Sequence, residues 1–167
     1  MTDRKEFRDL APPADAHDAI DSLDLGGGTE TVPLREARGR VLAERIDAAL
    51  DVPGFDRASM DGYAVRARDT FGADEAERAD LDLVGAVHAG EAPDVSVEAG
   101  TAAEISTGAV MPPGADAVVM VEKTDEADDG ERVLVRTALA PGDNVMLAGA
   151  DVAAGERTLG PGTELTP

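Results

Sequence analysis

Cysteine is absent from the 167 residues, which excludes a disulfide, a thiolate nucleophile and any Cys-based metal site. Tryptophan is absent too, and Phe7, Phe55, Phe71 and Tyr63 are the only aromatics. That excludes the stacking platform of many single-strand nucleic-acid binders. Basic charge is scarce: 35 Asp and Glu face 15 Lys and Arg, for a net charge of -20. Nucleic acid would meet a like-charged field, so no nucleic-acid partner is expected. No apolar run approaches the roughly 18 residues of a membrane-spanning helix, and no membrane partner is expected. The opening MTDRKEFRDLAPP has no apolar stretch of the signal-peptide kind, so the chain reads as soluble and cytoplasmic.

What is present is an apolar fraction of 43%, enough for a core. Lys5 and Lys123 are the only lysines against thirteen arginines, and acid is spread over almost every stretch. This is the surface of a protein kept soluble in high salt, where screening removes much of the self-repulsion, and it suggests a halophilic, archaeal host.

Asp15 is expected to cap a short helix with Ala16, Ala19, Ile20 and Leu23 on one face, ended by Gly26-Gly27-Gly28. A second short helix is expected from Leu34 to Arg38. Residues 41–48 fit a strand or a continuing helix, and periodicity does not decide. From Asp51 onward short apolar runs alternate with Gly, Pro and Asp. Strands are predicted at 62–66, 81–87, 102–106, 117–121, 132–137 and 144–147, with turns at 90–93, 112–114 and 128–130. Residues 68–80 are a charged excursion, and the glycines from Gly149 to Gly162 suggest a small hairpin. The fold class is α+β: short N-terminal helices followed by a β-rich region.

Three segments could carry chemistry. In Ser59-Met-Asp-Gly-Tyr-Ala-Val65, Ser59 and Asp61 sit just before a predicted strand, where side chains are displayed at its mouth; Asp61 could equally only cap a turn before Gly62. In Ile105-Ser-Thr-Gly-Ala109 a strand runs into a turn. Gly108 lets a ligand approach, and free N–H groups there could hold an anion. A plain hydroxyl-stabilised turn is the alternative. Glu122 and Lys123 follow the next strand, as a functional or a merely solvated pair. Asp151 follows a glycine turn, as a site carboxylate or a turn carboxylate. His17 and His88 are isolated, with no zinc spacing. The acidic run Asp125, Glu126, Asp128, Asp129 lacks the twelve-residue EF-hand pattern and reads as solvated loop.

Taken in order, these segments resemble the N-terminal part of the molybdopterin molybdenumtransferase (MoeA) family, which includes the C-terminal part of gephyrin. The resemblance rests on Pro33-Leu-Arg-Glu-Ala-Arg-Gly-Arg-Val-Leu-Ala-Glu44, Pro53-Gly-Phe-Asp56 with Ser59-Met-Asp-Gly-Tyr-Ala-Val65, Ile105-Ser-Thr-Gly-Ala109, Pro113-Gly-Ala-Asp-Ala-Val-Val119 with Glu122, and Gly142-Asp-Asn-Val145 with Gly149-Ala-Asp151. Each motif alone is weak; their order over residues 15–167 is specific. The resemblance implies a discontinuous region of residues 1–45 with 142–167, serving linkage and dimerisation, around an inserted β-rich domain of residues 46–141. It also implies that the chain stops before the α/β domain which in the family holds most of the molybdopterin and nucleotide site. The implied activity places molybdate, or tungstate, on adenylylated molybdopterin and releases AMP, with Mg²⁺ or a similar divalent ion. The implied assembly is a homodimer with a site shared between subunits. Carried over by motif, Asp61, Thr107 and Asp151 would be catalytic, Asp61 also a metal contact, and Ser59, Gly108 and Glu122 substrate-binding. Some relatives carry Lys-Asp-Gly where this chain has Met60-Asp-Gly. Two alternatives stand beside the enzyme: a non-catalytic dimerisation or scaffold module of the same family, and an acidic divalent-ion-binding domain.

Overall fold

Pro13 occupies the first helical position of helix α1, Pro13–Asp21, where the N–H that proline lacks has no intrahelical partner anyway. The computed structural model of the chain describes residues 12–23, 26–127 and 130–166. Pro12 stands at the helix cap with no side-chain hydrogen bond; Asp15 lies inside the first turn, where its charge faces the positive end of the helix dipole. Asp15 is therefore not the cap that the sequence suggested: the cap is Pro12, and the helix starts three residues earlier. The helix ends at Ser22, before the glycine triplet, and none of its residues is buried. The second expected helix is a single 3-10 turn, Leu34–Glu36.

The chain divides into two compact units. The smaller one comprises residues 12–43 and 162–166 of the described chain. In it residues 39–42 run antiparallel to residues 162–165. Gly39 and Leu42 N–H groups donate to Leu165 and Thr163 carbonyls, Gly162 and Leu165 N–H groups donate to Leu42 and Arg40 carbonyls, and Val41 bridges Glu164.

Among the described residues, the larger unit, residues 44–161, holds ten strands. They are β1 (Ile46–Asp47), β2 (Arg57–Ala58), β3 (Gly62–Val65), β4 (Ala79–Val87), β5 (Thr101–Ile105), β6 (Ala117–Met120), β7 (Thr124–Glu126), β8 (Arg132–Val135), β9 (Val145–Met146) and β10 (Arg157–Leu159). The six predicted strands are all present, with ends shifted by at most two residues. Residues 41–48, undecided by periodicity, contain β1, because β10 supplies its antiparallel partner. The expected hairpin after Gly149 does not form as such. That segment pairs with residues far upstream instead, through a Val52–Val152 bridge and β1 with β10, and just before it β9 pairs with β2. Of the expected turn at 128–130, Asp128 and Asp129 lie outside the described residues.

Six strands form one sheet in the order β6-β3-β5-β4-β8-β7. Its two edges, β6 and β7, are consecutive in the chain and joined only by the 3-10 turn Val121–Lys123. In a flat sheet five strand spacings of about 4.8 Å would separate them by about 24 Å, whereas a three-residue link reaches at most about 14 Å. The sheet therefore curls, in a half-barrel manner, to bring its edges together. The fold is mostly β, with one α-helix among the described residues, so the expected plural of helices reduces to α1 and 3-10 turns.

Alternation along the strands fills both faces. Tyr63, Val65, Leu81, Ala102, Val119, Val133 and Val135 form one buried cluster; Ala64, Val87, Ile105 and Val118, with Ala58 and Ala109, form the other. Leu81 and Val87 are an even number of residues apart yet lie in different clusters. A bulge accounts for this: Leu83 opposes Ala102 and Ala86 opposes Glu104, so three steps on β4 match two on β5, and the face inverts.

Candidate functional site

β3 runs antiparallel to both neighbours, with Gly62 opposite Ile105 on β5 and Met120 on β6. The residue before β3 and the residues after β5 and β6 therefore share one end of the sheet. β4 runs parallel to β5 with Val87 opposite Ile105, so the residue after β4 arrives there too. This end collects Asp61, Ser106, Thr107, Val121, Glu122 and His88, from four stretches of chain.

Asp61 ties the group together. Its carboxylate Oδ1 accepts the backbone N–H of Thr107 at 2.9 Å, across 46 residues of sequence. Its own carbonyl accepts the N–H of Val121 at 3.3 Å. Asp61, Thr107 and Glu122 are exposed; Ser59 and Gly108 are half-buried.

The Ser-Thr-Gly-Ala turn is not an open cradle of amides. Ser106 N–H donates to Val87 O, Gly108 N–H to Ala58 O, Ala109 N–H to Ser106 O, and Thr107 N–H to Asp61. All four donors expected for an anion are occupied within the chain, because the turn is stitched to β4, β2 and β3. The hydroxyls remain. Ser106 Oγ lies 3.4 Å from His88 Nδ1, and the Thr107 hydroxyl has no hydrogen-bond partner among the described residues.

The other residues singled out by sequence lie as follows. Ser59 donates its N–H to Asn144 O at 2.9 Å, which joins the Ser-Met-Asp-Gly-Tyr segment to β9. The Glu122 carbonyl accepts from Arg136 Nη2 at 2.8 Å, which fixes the backbone of its 3-10 turn. Asp151 is held by a different set of partners: its N–H donates to Val52 O at 2.9 Å, beside the cis Val52–Pro53 bond. The structure thus joins Asp61 with Thr107 directly and with Glu122 through the neighbouring residue, while Asp151 belongs to the Val52 strip.

Several further groups carry no signal in the local sequence. Asp56 Oδ1 accepts Ala148 N–H at 2.7 Å and Asp51 Oδ1 accepts Ala154 N–H at 2.8 Å, so both carboxylates anchor the returning segment. His88 looked isolated because its neighbour, Ser106, is 18 residues away and reaches it only through the parallel β4–β5 pairing. Burial, with the charges of Glu126 and Glu104 adding to it, pushes the Tyr63 phenol above its ordinary value.

The family resemblance implies a divalent ion. Among the described residues no group of three or more His, Asp or Glu side chains converges as a metal cage. Mg²⁺ is ordinarily held by one or two carboxylates with waters and substrate phosphates, so what the described residues lack is a self-contained protein cage. No helix of the described residues is long and apolar enough to cross a membrane.

A family model described as the MoeA N-terminal region (domain I and II) matches residues 11–167. The molybdopterin molybdenumtransferase of Nostoc sp. is 40% identical over 146 residues, covering 87% of this chain and 33% of that protein. Molybdopterin molybdenumtransferase 2 of Mycobacterium tuberculosis is 43% identical over 137 residues, covering 82% of this chain and 33% of that protein. Among solved structures, the molybdopterin biosynthesis MoeA protein from Pyrococcus horikosii superposes with a TM-score of 0.79 at 40% identity, covering 95% of this chain and 40% of that one. The chain spans about a third of the length of the curated relatives it matches.

Proposed function

Since the chain belongs to the MoeA N-terminal-region family, we propose that it acts in molybdenum cofactor biosynthesis. In this reading it is the part of a molybdopterin molybdenumtransferase that presents the Asp61–Thr107 end of the sheet to a composite active site. The reaction proposed is insertion of molybdate, or tungstate, into adenylylated molybdopterin with release of AMP. The observation that carries the reading is that Asp61 and Thr107, from two separate family motifs, meet at 2.9 Å at one end of the sheet.

The chemistry sets the division of labour. Both substrates are anions and this chain carries -20, so attraction must come from cations or neutral donors. At this end of the sheet the chain offers hydroxyl donors, Thr107 above all. The proposed role of Thr107 is to donate its O–H to an anionic oxygen and orient it, with Ser59, Gly108 and Glu122 shaping the surroundings. The compensating positive charge would come from outside these 167 residues, within the longer protein or from the second subunit of a homodimer. Asp151 is assigned to the same protein–protein or protein–substrate boundary, next to the Val52 strip.

The test is AMP release from adenylylated molybdopterin with molybdate and Mg²⁺. The full-length protein is expected to release AMP in a molybdate-dependent way. The 167-residue chain alone is expected to release no more than a protein-free control. Release by the isolated chain would overturn the composite-site reading; no molybdate dependence in the full-length protein would overturn the reaction.

A further inference from the structure

We propose that Asp61 is a positioning residue that acts through Thr107, and that its carboxylate is not a direct substrate contact. The inference rests on the reading above that the Thr107 hydroxyl faces an anionic substrate.

Three observations carry it. First, Thr107 alone among the four residues of the Ser-Thr-Gly-Ala turn donates its N–H to a side chain; the other three N–H groups donate to backbone carbonyls. The position of Thr107 is therefore set by Asp61, and the neighbouring residues are set by the sheet. A carboxylate accepting an N–H makes a charge-assisted hydrogen bond, stronger than a neutral one. Second, Asp61 is fixed from its own side as well. Its carbonyl accepts Val121 N–H, and it precedes Gly62, which is buried between β5 and β6. A rigid strand end thus holds the acceptor and the acceptor holds the turn. Third, a bare carboxylate turned to an anionic oxygen would repel it on a chain already at -20. The Thr107 N–H engages Oδ1 and offsets part of that charge. It leaves the neutral Thr107 hydroxyl as the group presented.

A residue that works only through another shows complete non-additivity with it. The test uses the full-length protein and the variants Asp61→Asn, Asp61→Ala, Thr107→Val and Asp61→Ala/Thr107→Val. Asn keeps an oxygen that accepts the Thr107 N–H but removes the charge. Asp61→Asn is expected to stay within about 3-fold of wild type in kcat/KM, and Asp61→Ala to fall about 10-fold or more, matching Thr107→Val. The double variant is expected to be no worse than Thr107→Val alone. A second readout needs no turnover: in ¹⁵N-labelled protein, the Thr107 amide should lose hydrogen-exchange protection in Asp61→Ala and keep it in Asp61→Asn.

Each contrary result is distinct. If Asp61→Asn is as damaged as Asp61→Ala, the charge itself is required and the positioning role is overturned. If the double variant is worse than Thr107→Val by the full Asp61→Ala factor, Asp61 acts independently of Thr107; the positioning role falls and the site reading stands. If Thr107→Val is fully active, the substrate-contact reading falls and takes the positioning role with it. Retained protection of the Thr107 amide in a folded Asp61→Ala protein overturns the coupling directly.

Discussion

A Cβ atom placed on Gly62 would stand 1.9 Å from the carbonyl oxygen of Val119. That contact is with the backbone of β6, the edge strand paired with β3, and no side-chain rotation relieves it. Gly62 is therefore required by the close approach of β3 to β6 and not by a turn.

Gly62→Ala is expected to force β3 and β6 apart and to cost about 3 kcal/mol, the upper end of the usual overpacking range. For a chain of this size that corresponds to a fall of about 6–12 °C in Tm. A melt unchanged within 2 °C, on the same roughly 2–4 °C per kcal/mol scale, would show that the strands can separate freely.

Thr70 is fully buried and uses its hydroxyl twice: Oγ1 donates to Ala67 O at 2.7 Å and accepts Leu139 N–H at 2.9 Å. Thr70→Val keeps the shape but leaves the Leu139 N–H without that acceptor, at an expected loss of about 1–3 kcal/mol. Urea unfolding should show a lower midpoint with an unchanged slope. Thr70→Ser, which keeps the hydroxyl, should retain most of the stability; equal losses in both variants would mean that the methyl group matters and the hydrogen bonds do not.

The Tyr63 phenol is raised by burial first, then by Glu126 and Glu104. The folded state therefore keeps its proton to higher pH than the unfolded state does. Between the unfolded value near pH 10 and the higher folded value, the native state binds more protons, so stability falls as pH rises. The contribution is complete below about pH 10 and is lost as pH passes through the folded value. Denaturant titrations from pH 8 upward should show this alkaline decline, and Tyr63→Phe should flatten it. An identical slope in the two proteins would assign the decline to other groups.

The charge of -20 over 167 residues makes the compact state sensitive to screening. Lowering salt from 1 M to 0.1 M lengthens the screening distance from about 3 Å to about 10 Å. The midpoint of thermal unfolding is expected to rise with salt across that range. A flat profile would remove the high-salt reading of the composition.

Five of the six strands of the large sheet were legible because each is a short apolar run with its own turn signals, and alternation within a strand is a local property; the sixth, β7, is Thr-Asp-Glu within the acidic stretch that reads as solvated loop, and only its pairing with β8 makes it a strand. The charge character and the order of the family motifs were legible for the same reason. Helix α1 shows where local rules compete: Asp15 is a good capping residue, but the Pro12-Pro13 pair already set the start. The Ser-Thr-Gly-Ala turn shows where they end. Its residue types suit an anion cradle, yet its amides are occupied by Val87, Ala58, Ser106 and Asp61, and three of those partners lie far away in sequence.

What the sequence by itself determined is therefore a set of pieces: where most strands of the large sheet form, which of their faces are apolar, and how the surface is charged. These follow from side-chain pattern over a few neighbouring residues. Only the tertiary structure decided the partners. It set the strand order β6-β3-β5-β4-β8-β7, the parallel β4–β5 pair that brings His88 to Ser106, the return of residues 144–159 onto residues 46–58, and the meeting of Asp61 with Thr107. Backbone N–H and C=O groups carry no residue identity, so any strand can pair with any other. The choice is made by which arrangement buries both apolar faces at once and leaves no interior donor without an acceptor.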